Sequence, residues 1–272
     1  MKHTLYAAII VLAGAFAAHA QTPGDPSQRG TLVSTVPSHA VKEFTPTGKL
    51  RAAINLGNPV LAQGTPQDPR GVTVDLAREL AKRIGVPLEL VPYDAAGKVA
   101  EGAKAGVWDI CFLAIEPVRA AEIAFTGPYV LIEGVYMVPK DSALKTVADV
   151  DHDGVRIGVN KNSAYDLFLT RTLKAAKLVR SEDGVATFVK DKLEATAGVK
   201  QPIVAYAKTD PNVRVIDGRF MEIRQAMGTP QGRPAAAAYL KTFVEEMKAS
   251  GFVADALKRS NQPDAAVAPA GG

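Results

Sequence analysis

The sequence predicts an α/β protein of about two domains, and three observations carry that expectation. Strand and helix signals alternate along most of the chain, the pattern of βαβ units and not of a sandwich or a bundle. The length, 272 residues, suits two domains of roughly 100–150 residues, each able to bury a core. The composition is that of a folded protein, with 47% hydrophobic residues and 32 Lys+Arg against 28 Asp+Glu. A net charge of +4 with no run of four or more Lys or Arg leaves no electrostatic footprint for phosphate contacts, so nucleic acid is not an expected partner.

Taken in order, residues 1–20 carry Lys2 and His3, then an apolar stretch over 5–18, then Ala18 and Ala20 flanking His19 ahead of Gln21. This is the layout of a cleaved secretion signal, and its apolar stretch is shorter than the ~20 residues a spanning helix requires. The protein is therefore expected to act outside the cytoplasm. Residues 21–43, rich in Pro, Gly, Ser and Thr, read as an extended leader, and 261–272 as a flexible tail.

A first strand is expected over 49–56, stopped by Gly57-Asn58-Pro59. Leu76, Ala77, Leu80, Ala81 and Ile84 recur at helical spacing, with charged residues on the other side and Gly85 as the stop. Strands follow at 88–91 and 108–115 with a helix at 95–105 between them, as in a parallel sheet with crossover helices. Pro117 opens a short helix after Glu116, and 129–138 is a further strand. A second α/β series starts with a strand at 155–159 and a helix that Ser163 begins, Asp166 standing three residues on as in a capping box. Strands near Leu178, 213–216 and 222–227 and helices near 185–190, 202–207 and 234–250 complete the reading.

Cys111 is the lone cysteine, so no intramolecular disulfide forms; within the apolar run 108–113 it is expected to behave as a small buried hydrophobe. His39 and His152 lack ligand spacing, and neither a metal site nor a cofactor is expected.

The ordered set Gly48-Lys-Leu-Arg-Ala, Val74-Asp-Leu-Ala-Arg-Glu-Leu-Ala-Lys-Arg-Ile-Gly-Val, Trp108-Asp-Ile, Glu116-Pro-Val-Arg119-Ala, Phe125-Thr-Gly-Pro-Tyr129 and Val155-Arg-Ile-Gly-Val159 resembles the family 3 extracellular solute-binding proteins, the periplasmic receptors of polar amino acid ABC importers. The resemblance runs from about Thr47 to Arg259. It implies a two-lobed periplasmic binding protein of type II, with two parallel-type sheets joined by two crossing strands. Lobe 1 would comprise 44–138 plus 228–260, and lobe 2 139–227. It further implies a periplasmic monomer, a small-molecule ligand in the cleft, and a membrane permease of an ABC importer as the partner that senses closure.

The resemblance places the site residue by residue. Arg119 matches the family arginine that forks two hydrogen bonds onto a ligand carboxylate, a geometry that guanidinium suits and ammonium does not; the plain alternative is a solvated arginine on a short helix. Ser163 offers a hydroxyl beside free backbone N–H groups, or simply caps its helix. Lys161 and Asn162 share its loop, where the family has smaller residues. Counting back from Pro202, the family's ammonium-binding acid falls at Lys200, which would favour an anionic ligand with no ammonium there; a shifted register would hand the role to Glu194 or Asp191. Glu116 stands where the family has Thr, pairing with Arg119 or capping the helix. Asn58 replaces a frequent aromatic, and Trp108 and Tyr129 are expected in the core or hinge.

The function expected is therefore that of a binding protein for a small carboxylate-bearing solute, an amino acid or an amino-free organic acid, and no catalytic residue is expected. Two alternatives stay open: an enzyme similar in fold to cyclohexadienyl dehydratase, for which no paired acid and base stand out, and a sensor module for a chemoreceptor.

Overall fold

The helix expected from Leu76, Ala77, Leu80, Ala81 and Ile84 runs over Val72–Ile84, with those side chains buried and Gly85 (φ 70°) closing it through N–H bonds to Ala81 and Lys82. Such a stop uses the left-handed conformation that glycine adopts without cost. Each of the large buried side chains contributes roughly 1.5–3 kcal/mol by leaving water.

The protein is described here by a computed structural model over residues 36–272; the signal expected at 1–20 lies outside the described residues. In chain order the elements are α1 (Ser38–Phe44), β1 (Leu50–Asn55), β2 (Gln63–Gly64), β3 (Pro69–Arg70), α2 (Val72–Ile84), β4 (Leu88–Tyr93), α3 (Ala96–Ala105), β5 (Ile110–Ala114), α4 (Pro117–Ala120), β6 (Ile123–Pro139), β7 (Arg156–Asn160), α5 (Ala164–Thr172), β8 (Lys177–Ser181), α6 (Gly184–Lys190), β9 (Ala195–Val199), α7 (Lys200–Thr209), β10 (Val213–Val215), β11 (Met221–Pro230), α8 (Pro234–Ala249), α9 (Phe252–Arg259) and β12 (Ala266–Val267). None of the described helices is long and apolar enough to cross a membrane.

Two parallel segments flank two long strands. β4-β1-β5 form the first and β9-β7-β8 the second. Between them lie β11, antiparallel to β5, and β6, antiparallel to β9. β6 and β11 pair with each other from Ile123↔Pro230 to Gly134↔Met221, so the two expected sheets hydrogen-bond into one continuous path. The register of β11 slips at Gln225/Ala226, a bulge that re-aims side chains.

Three expectations need correction. Part of the leader expected over 21–43 is the helix α1, because Ala40 and Phe44 are buried and Phe44 meets Tyr239 of α8 edge-on. Arg233 reinforces the contact, donating both to the Glu43 carbonyl and to Asp109, a buried carboxylate that Arg51 also grips with two hydrogen bonds of 2.9 Å. The tail expected over 261–272 is docked: β12 pairs β6, the Ala268 N–H donates to Tyr129 O, and Lys248 Nζ donates to Pro269 O. The sequence reading also missed β9, whose Ala and Gly residues carry little strand preference. Their smallness is required, since a Cβ on Gly198 would lie 2.8 Å from Ile203 of α7.

Trp108 and Tyr129 are fully buried, as expected, and the Trp108 indole N–H donates to Val99 O at 2.9 Å. Cys111 is likewise buried in β5, where burial pushes its thiol pKa up and keeps it inert.

Candidate functional site

Strand ends on both sides of the sheet converge on one cavity of about 820 Å³, the crevice where ligands of open α/β sheets sit. Asn55 ends β1 and Gly57 and Asn58 follow it, Ala114 ends β5, Asn160 ends β7 and Lys161 follows it, and Val199 ends β9. Arg119, Ser163 and Asn58 all line it.

Arg119 is the unusual member. It sits on α4, is only 4% exposed, and belongs to no ion pair of the described residues. Its Nη1 donates to Ala114 O at 3.1 Å and its Nη2 to Asn162 O at 2.9 Å, while its Nε is buried without a partner. Burial pushes the guanidinium pKa down to about 10, with Glu116 and Cys111 opposing the fall, so the group stays a cation near neutrality. A buried cation without a counter-ion is costly, and an anion placed against the free Nε would relieve it. The plain alternative of a solvated arginine gives way to burial.

Ser163 does both things expected of it. It is the N-cap of α5, its Oγ accepting from Asp166 N at 3.1 Å, worth about 1 kcal/mol, and it also faces the cavity. Asp166 completes a displaced capping box by accepting from Asn162 N. Asn162 itself, with φ 58°, lines a smaller adjoining cavity of about 310 Å³ and reaches the main site through its carbonyl on Arg119. It also touches the first half of the sheet, because a Cβ on Gly97 of α3 would lie 2.7 Å from Asn162 Cβ. Asn58 is buried, but its Oδ1 accepts from Val60 N and holds its own loop.

Two expected site residues are placed elsewhere. Glu116, 3% exposed, occupies the N-cap position of α4 without a side-chain cap bond, and its carboxylate pairs with Arg171 of α5, not with Arg119. It ties the two halves of the sheet together at the edge of the site. Lys200 lines neither cavity; it is half-exposed and donates to Glu133 of β6. The substitutes weighed for it fare no better: Glu194 is held by Arg156 and lines neither cavity, nor does Asp191.

Sequence reasoning missed Gln225, which the β11 bulge presents to the cavity, and the loop after β8, where Asp183 caps α6. It also left Asn160 and Tyr165 without roles. Asn160 Oδ1 accepts from Gly184 N and pins that loop. Burial pushes the Tyr165 pKa up to about 12, so its hydroxyl is a neutral donor. The deviation of Gln225 arises from long-range pairing, which no local signal carries.

No curated protein matches the chain in sequence. Among solved structures it is similar to the solute receptor for L-cysteine of Neisseria gonorrhoeae (TM-score 0.70, 22% identity, covering 82% of this chain and 94% of that one). It is also similar to a mutant ArgBP from T. maritima (0.69, 20%, 82% and 99%) and to the ancestral amino acid-binding protein AncCDT-1, a precursor of cyclohexadienyl dehydratase (0.67, 22%, 80% and 97%). These likenesses establish a two-lobed, type II periplasmic-binding-protein fold, as expected from the sequence. The profile of the bacterial extracellular solute-binding proteins, family 3, matches residues 50–260, and the chain belongs to that family.

Proposed function

We propose that the protein is the periplasmic substrate-binding component of an ABC importer, capturing a small carboxylate-bearing solute between lobes at 44–138 plus 228–260 and 139–227 and presenting it to a membrane permease. The observation that carries this reading is Arg119: a buried cation at the cavity wall with an unsatisfied Nε and no acid partner among the described residues. A ligand carboxylate supplies both the missing charge and the missing acceptor. Ser163 and the backbone beside it add donors from the opposite lobe. Bound solute then favours the closed arrangement because it contacts both lobes at once. The ligands named for the similar structures, cysteine and arginine among them, fit a carboxylate contact of this kind.

A binder is favoured over a dehydratase because two acids at the site are already engaged, Glu116 by Arg171 and Asp183 by the α6 N-terminus, and neither is free to act as a general acid. The reading is tested by thermal unfolding with a panel of amino acids, oxo acids and dicarboxylates. A ligand at a hundredfold its Kd adds about 2.7 kcal/mol, a shift of a few degrees for a chain this size. Arg119→Lys, which keeps the charge and loses the fork, is expected to abolish the shift; a full shift in that variant would refute the role of Arg119.

A further inference from the structure

Resting on Arg119 as the carboxylate-binding group, we infer that the solute selected by the cleft is an amino-free acid, a 2-oxo or 2-hydroxy carboxylate, whose apolar body lies against Val199, Pro202, Ile203, Tyr206 and Ile223. All five residues line the cavity. Ile203 and Tyr206 belong to the apolar cluster beneath the second lobe, which also holds Val185 and Phe188.

An ammonium entering this cavity would surrender its hydration and need an anion in exchange. Three carboxylates line the cavity; two are already engaged, and the third is exposed to water. Asp183 Oδ1 accepts from Val185 N and Ala186 N, both at 3.0 Å. Asp94 Oδ2 accepts from Lys98 Nζ at 2.7 Å and is mostly in water. Glu182 is exposed, where water solvates its charge. Lys161 and Lys190 line the cavity as well, so the fixed charge offered to a ligand is not negative. Ala197, Gly198 and Val199 add an uncharged stretch to the lining.

The other polar side chains of the lining are neutral, among them Gln225 and the Ser163 and Tyr206 hydroxyls. These can donate to an oxo or hydroxyl oxygen, and none carries the charge an ammonium requires. Val199 marks the point of discrimination. It occupies the N-cap position of α7 with extended backbone and no side-chain cap bond, where Asp is intrinsically favoured.

The test is calorimetric titration of the purified protein with matched pairs: 4-methyl-2-oxopentanoate against leucine, and phenylpyruvate against phenylalanine. At least one oxo acid is expected to bind tenfold or more tightly than its amino partner. Val199→Asp is expected to narrow or reverse that ratio by at least tenfold, and circular dichroism checks its fold. Amino acids that bind as tightly as their oxo partners, with binding lost in Arg119→Lys, would overturn this inference and leave the carboxylate reading standing. Failure of every carboxylate would overturn both.

Discussion

Arg119 of α4 and Asp166 of α5 are both buried charges, and their surroundings differ in kind. Asp166, 1% exposed, accepts from Asn162 N, from Thr170 Oγ1 and from Arg180 Nε at 2.8 Å, so its charge and its lone pairs are satisfied by nearby residues of α5, its preceding loop and β8. Arg119 finds two carbonyls, no acid, and leaves Nε bare. A matched buried charge holds structure together; an unmatched one can gain from a group of the opposite sign. The same contrast appears at Asp109, which two arginines hold beneath α1 and α8 far from the cavity lining.

The largest effect should come from Arg119→Met. Ligand affinity is expected to fall by about a thousandfold, some 4 kcal/mol, while the unliganded midpoint stays put or rises because an uncompensated charge has left the interior. Loss of stability without ligand would erase the distinction between the two charges. Asp166→Ala should do the reverse, costing about 3 kcal/mol of unfolding free energy by denaturant titration, with affinity measured on the folded fraction changing less.

Gly97→Val probes the close approach of α3 to the Asn162 loop. Its side chain would collide with Asn162, so the Arg119–Asn162 contact opens, and affinity is expected to drop about tenfold, or ~1.4 kcal/mol, with a larger radius of gyration in solution scattering. Glu116→Gln removes the interlobe pair with Arg171, whose guanidinium is half-exposed; about a fivefold loss of affinity, ~1 kcal/mol, is expected. An unchanged Kd would mean that the pair does not bias closure.

The smallest effect concerns acid. The Arg156 hydrogen bond holds the Glu194 carboxyl below its ordinary value. The stability this provides is complete above that ordinary value, near pH 4.5, and is lost as pH falls through the lowered folded value. Glu194→Gln should flatten the decline between pH 5 and 3 in denaturant titrations by a few tenths of a kcal/mol, as expected of a half-exposed pair.

Features set by nearby residues were legible in the sequence. The apolar spacing of α2, the stop at Gly85, the helix opened by Pro117 and the cap at Ser163 all need only a few neighbouring positions. Arg119 was legible through its motif, although its burial and its missing counter-ion were not. Lys200 was misplaced because its direction is decided by Glu133, and Glu116 because its partner Arg171 lies 55 positions on. β9 escaped because its small residues are chosen by the helices above it, and Gln225 because a slip in strand pairing turns it toward the cavity.

The return of β11 and α8 to the first half of the sheet sets the order in which the chain can be finished. β7, β8 and β9 with α5 and α6 come from one unbroken stretch and can close over short loops. β5 must wait for residues 225–228 before its outer neighbour exists, and α1, near the start of the described chain, rests on α8. As the chain emerges from the ribosome, β7, β8 and β9 can pair while β5 still exposes an open strand edge. The half that carries the unmatched arginine is the last to be sealed.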